Sequence, residues 1–252
     1  MISKKILVDE IPLNIVVSDF FHKEEDTVIF LHGWGQNAKT FDDLMKRFEK
    51  EKKSFVAIDF PGFGLTPLPK GIWGVREYCL FLKSALDKLG VKKATFISHS
   101  FGGRVLIYLN NLYPEKVEKN IFIASAGIKP EFNKIKLAII KLGKWIFKIP
   151  GLKKIGNKIR NKVASRDYLA SGELQQIFLK TINEDLKEKI KNIQADSLLI
   201  RGDKDSETPI EDGRWFNKNI KNSELLELKG THFIYLEEPE IIFNNINKFL
   251  EK

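Results

Sequence analysis

Short apolar runs alternate along the chain with longer stretches in which apolar positions recur every three or four residues. Runs at 6–8, 14–18, 27–31, 55–58, 94–98, 120–124, 197–201 and 225–228 are rich in Val, Ile, Leu and Phe, and most end at Gly, Asp or Ser. Several are continuous rather than alternating, which predicts strands covered on both faces. Between them, 41–50, 75–89, 101–112, 210–218 and 239–250 carry helical periodicity. Strand–helix alternation of this kind predicts an α/β fold: a mostly parallel, eight-stranded sheet with helices on both faces. No helix separates the first two runs, so they are expected to form an antiparallel edge.

The alternation breaks between residues 129 and 193, where helical periodicity continues without a convincing strand. This predicts a core of residues 1–128 and 194–252 interrupted by an inserted helical cap, 129–193. Charge sharpens the division. Residues 129–167 hold twelve Lys or Arg against two acids, a net of +10, while the remainder holds 30 basic against 31 acidic residues; the whole chain is +9. Within this block, 135–149 reads as a basic amphipathic helix with Trp145 and Phe147 among its apolar residues. Two roles fit such a segment beyond a solvated cap: peripheral contact with an anionic membrane, or attraction of an anionic substrate. No nucleic-acid motif accompanies it, so no nucleic-acid partner is expected.

Composition excludes several classes. At 252 residues with 43% hydrophobic and 30% charged residues, the chain is expected to be globular. No run approaches the roughly 18 apolar residues of a membrane span. Asp9 and Glu10 interrupt what would have to be a secretory leader. A single cysteine, Cys79, leaves no intramolecular disulfide, and with four histidines there is little to build a zinc site. A cytoplasmic setting and no cofactor or metal are therefore expected.

The chemistry concentrates at strand ends. Residues 94–105 read as a strand turning into a helix, and the turn is SHSFG, 98–102, one residue from the nucleophile-elbow pattern G-x-S-x-G. Such a turn needs small residues two positions either side of the serine. Ser98 fills the place usually held by glycine, and Gly102 the other. The helix that follows aims its first N–H groups toward the region of Ser100. A second segment, 28–36, is a buried strand ending in His32-Gly33-Trp34-Gly35. Together these segments resemble the α/β-hydrolase family, in which an HG-x-G loop lies beside the elbow. The resemblance covers about three quarters of the chain and extends to DFPGFG at 59–64 and to the stretch 230–240 ahead of the last helix.

The resemblance implies a serine esterase. Backbone N–H groups of Trp34 and Phe101 would form the oxyanion hole, supported by Gly33, Gly35, Ser98, His99 and Gly102. The order Ser100, Asp205, His232 matches the order of nucleophile, acid and base in this fold. His232 is also favoured by elimination: His22 sits near the N-terminal hairpin, His32 in the glycine loop, and His99 beside the serine with its side chain expected to face away from the nucleophile. Asp203 competes with Asp205, and the family's G-x-x-D spacing selects Asp205. The implied function is hydrolysis of carboxylic esters of small to medium acyl chains. Lyase, acyltransferase or C–C bond hydrolase chemistry on the same residues, or a non-catalytic receptor, are the alternatives. An epoxide hydrolase or dehalogenase would need Asp at the position of Ser100.

Overall fold

A computed structural model describes residues 1–23, 26–129 and 170–252. The amphipathic stretch 135–149, with Trp145 and Phe147, and nearly all of the basic run lie outside the described residues. The chain divides into two compact units, Met1–Ile128 with Asp185–Lys252, and Lys129–Glu184.

The first unit is built on eight strands: β1 (Ile2–Val8), β2 (Ile11–Val17), β3 (Val28–Leu31), β4 (Phe55–Ile58), β5 (Ala94–His99), β6 (Val117–Ile123), β7 (Asp196–Gly202) and β8 (Ser223–Leu228). They pair in the order β1-β2-β4-β3-β5-β6-β7-β8. β1 and β2 are antiparallel to each other, β2 is antiparallel to β4, and every other pairing is parallel. The antiparallel edge expected from the missing helix is therefore present. The apolar runs of β3, β4 and β5 are buried at every position, as a sheet covered on both faces requires.

Helices cover those faces. α1 (Asp42–Lys50) and α8 (Pro239–Leu250) insert Leu44, Met45, Phe48, Ile242, Phe243, Ile246 and Phe249 into one core with Phe30, Phe55, Ile97 and Ile121. Phe30 centres this layer, with its ring 5.2–5.8 Å from those of Phe41, Phe48 and Phe55. Truncating such a residue to alanine costs about 3–5 kcal/mol. α2 (Val75–Leu89), α3 (Phe101–Leu112) and α6 (Ile210–Asn219) complete the larger helices of this unit, Phe216 of α6 meeting Phe122 of β6 at 6.2 Å.

In the second unit, a 3-10 turn (Gly172–Leu174) leads into α4 (Gln175–Ile182), with Ile177 and Phe178 buried. The expected insertion ran on to residue 193, whereas residues 185–193, including α5 (Lys187–Lys191), group with the sheet unit. There Leu186, Ile190 and Ile193 are fully buried, and the Leu186 N–H donates to the Gly127 carbonyl. The last described helix, α7 (Ile234–Glu237), is a single turn between β8 and α8.

The strand order positions the chemistry. From β3 the chain moves outward to β4, then returns to place β5 on the other side of β3. At such a switch point the loops leaving adjacent parallel strands diverge and leave a crevice at their carboxyl ends. The loop after β3 is the HGWG segment, and the turn after β5 holds Ser100.

Candidate active site

β5 passes into α3 through Ser100, whose backbone sits at φ 46°, ψ −107°. A non-glycine residue in this region is strained and persists only where its surroundings enforce it. Here they do. The Ser100 N–H donates to Ile123 O (3.2 Å), and its carbonyl accepts from Gly103 N–H (3.0 Å) and Ala126 N–H (3.1 Å). A methyl group on Gly102 would collide with the backbone carbonyl of Leu31, so glycine is what lets α3 start this close to β3. Ser98, in the place usually held by glycine, is fully buried, and its hydroxyl donates to the Ile121 carbonyl (3.2 Å).

The glycine loop and the elbow meet. The rings of Trp34 and Phe101 lie 5.3 Å apart at 89°, within an aromatic group that includes Phe60, Phe63 and Tyr78. Phe101 opens α3, where backbone N–H groups have no partner inside the helix. Gly35 takes φ +70°, and Gly33 leaves room that a Cβ would lose against His99 Nδ1, 2.6 Å away. His32 is fully buried and locked: its Nε2 accepts from the Phe60 N–H (2.9 Å), so Nδ1 carries the proton and donates to Gly33 O (2.7 Å). Burial, only partly offset by the bond to Gly33 and the charge of Asp59, holds its pKa down to about 4.

The loops after β7 and β8 bring an acid to a base. His232 Nδ1 lies 2.8 Å from Asp205 Oδ2, and both side chains are buried. Asp205 Oδ1 accepts from the N–H groups of Glu207 (2.8 Å) and Thr208 (2.9 Å), and Oδ2 also accepts from Thr208 Oγ1 (2.7 Å). Burial alone would raise the Asp205 pKa, but the bonds from His232 and Thr208 outweigh it and the net shift is downward. An ionised Asp205 only accepts, so the His232 proton sits on Nδ1 and its Nε2 presents a lone pair. Asp203 plays a different part: its exposed carboxylate accepts from the Gly230 N–H (3.0 Å) and braces the histidine loop. The spacing argument for Asp205 over Asp203 thus agrees with which carboxylate reaches the imidazole.

Three features escaped sequence reasoning. Glu207 Oε2 lies 3.5 Å from His232 Nε2, and its place two residues after the acid was the available signal. Arg201, fully buried on β7, donates to the carbonyls of Ser125 (2.7 Å) and Thr208 (3.3 Å) beneath the acid loop. Burial lowers its pKa to about 10, against the charges of Asp205 and Asp212, which leaves it cationic at neutral pH. Finally, no partner was foreseen for His99, whose ring packs against that of His232, centroids 4.8 Å apart. Burial and the neighbouring His232 hold the His99 pKa down to about 3.

Among the described residues no cluster of three or more His, Cys, Asp or Glu is placed to hold a metal, and no helix is long and apolar enough to cross a membrane.

Residues 26–148 match the family model for the alpha/beta hydrolase fold. The chain has the α/β-hydrolase fold. It is similar to an uncharacterized hydrolase, YugF, of Bacillus subtilis, with 24% identity over 260 residues and 95% of each chain covered. It is also similar to a 2-hydroxy-6-oxo-2,4-heptadienoate hydrolase of Pseudomonas putida, with 22% identity over 249 residues and 88% of each covered. Among solved structures, an esterase from Exiguobacterium antarcticum superimposes with a TM-score of 0.77 at 20% identity, covering 100% of both chains.

Proposed function

We propose that this α/β-hydrolase cleaves carboxylic esters of small to medium acyl chains through an acyl-enzyme on Ser100. The observation that carries the reading is the buried 2.8 Å bond between Asp205 and His232, which leaves Nε2 of the imidazole as a base. In the proposed reaction that nitrogen takes the Ser100 proton as Oγ attacks the ester carbonyl carbon. The carbonyl π electrons move onto oxygen, and the N–H groups of Trp34 and Phe101 stabilise the oxyanion. Collapse of the tetrahedral species expels the alcohol, which receives its proton from the imidazolium. Water, activated by the same imidazole, then releases the carboxylic acid. Asp205 keeps the tautomer correct and stabilises the imidazolium throughout.

The strained serine supports this assignment: φ 46° at Ser100 is held by three backbone hydrogen bonds at the turn that carries the proposed nucleophile. The test is turnover of p-nitrophenyl esters of graded acyl length. The wild-type protein is expected to hydrolyse the short and medium esters, and Ser100→Ala to lower kcat by roughly 10⁴–10⁶-fold. Equal turnover by the variant would overturn the assignment.

A further inference from the structure

The proposed reaction leaves His99 without a part, although it is almost fully buried at the centre of the site. Its Nε2 lies 3.0 Å from the backbone carbonyl of His232. A carbonyl only accepts, so this bond requires the His99 proton on Nε2. The competing acceptor for the single proton of the neutral ring is Gln36 Oε1, which faces Nδ1 at 2.9 Å. That oxygen is already committed to the Gly33 N–H (2.9 Å), while Gln36 Nε2 donates to the Tyr235 hydroxyl (3.0 Å). Gln36 Oε1 thus has a donor without His99, which leaves the single ring proton for the His232 carbonyl.

We propose that His99 is a positioning residue that fixes the backbone of His232 from the elbow side through Nε2–H. The inference rests on the reading of Ser100, Asp205 and His232 as a hydrolytic triad. The histidine loop is short, and it is attached on the acid side through Gly230 N–H to Asp203 and Lys204 N–H to Gly230 O, and to the following helix through Thr231 to Glu237. Those bonds set the loop relative to Asp205 and that helix but not relative to the serine. His99 is covalently next to Ser100, so its hydrogen bond refers the base to the nucleophile. A misplacement of about 1 Å between reacting groups is enough to cost roughly 10²-fold in rate. Nothing in the acid–base pair itself protects that distance.

Two conservative variants separate this from simple core packing. His99→Gln places an amide N–H near the Nε2 position and keeps a donor for the His232 carbonyl. His99→Asn places its amide near Nδ1, where it satisfies Gln36 Oε1 but falls short of the carbonyl. On p-nitrophenyl butyrate, His99→Asn is expected to lose about 10²-fold in kcat with KM nearly unchanged, and His99→Gln to stay within about tenfold of wild type. Wild-type kcat in the asparagine variant, or a glutamine variant as impaired as the asparagine one, would overturn the proposal. Should either variant fail to fold, ¹⁵N NMR of the wild-type imidazoles decides: a bare His99 Nε2 would overturn the proposal and a protonated one supports it. An inactive wild-type protein would instead overturn the parent reading of the triad, and the same NMR spectrum would still report the His99 bond.

Discussion

The loops leaving β4 and β7 each carry a buried carboxylate, Asp59 and Asp205, and the two are wired to opposite ends. Asp59 accepts from the N–H groups of Ala38 (2.7 Å) and Leu65 (2.9 Å) and from Asn14 Nδ2 (2.9 Å), all neutral donors that belong to the scaffold. It staples the chain after β4 to β2 and to the turn before α1. Asp205 spends three contacts in the same way, on Glu207 and Thr208, but gives a fourth to an imidazole. On the proposed assignment of Asp205, burial and backbone donors do not by themselves mark a catalytic acid. They hold a carboxylate in place, and what it touches with the remaining lone pair decides whether it organises structure or chemistry.

This contrast can be broken by removing one charge at a time. Asp205→Asn is expected to lower kcat by roughly 10³–10⁴-fold while the protein remains folded, because an amide favours the wrong imidazole tautomer. Asp59→Asn should do the reverse. Its NH₂ would confront a backbone N–H or the Asn14 amide, costing about 1–3 kcal/mol in denaturant unfolding, with kcat of the folded protein close to wild type. Asp203→Asn, at the exposed brace, should change kcat less than either change moves its own readout. A larger kcat loss in Asp203→Asn than in Asp205→Asn would reverse the assignment of the acid.

The smallest effect is on pH dependence. His32 and His99 have folded pKa values lowered to about 4 and about 3 from an ordinary 6.5. They are neutral in the fold, whereas the unfolded chain protonates them as pH falls below 6.5. Their contribution to stability is present above that value and is lost progressively as pH drops toward 4 and then 3. Near pH 5, unfolding should therefore take up about one proton fewer in His99→Gln than in wild type, read from the slope of unfolding free energy against pH. An identical slope would mean that His99 is already charged in the folded protein.

Most of the sheet was legible because β3 and β4 are continuous apolar runs and β5 has an apolar centre at Phe96 and Ile97. The beginnings of β1 and β6 were not. Ile2 to Lys5 are exposed on an edge strand, and Glu118 and Lys119 are only half buried, so no burial pattern marks them. The end of the insertion was misjudged for a related reason: residues 187–191 look like any polar helix until Leu186 and Ile190 are seen buried in the sheet unit. At the site, local spacing picked out the carboxylate that contacts the His232 imidazole, since Asp205 lies three residues after Gly202 in a short loop. The links from His99 to His232 and from Arg201 to Thr208 join residues on different strands and loops through backbone carbonyls, which no side-chain motif encodes.

The most direct measurement is the site and rate of labelling by a fluorophosphonate, mapped by peptide mass spectrometry, in wild type and His232→Ala. Label on Ser100 in the wild type, with the rate falling by roughly 10³-fold or more when the imidazole is removed, is the predicted result. Label at another residue, or an undiminished rate at Ser100 in His232→Ala, would contradict it.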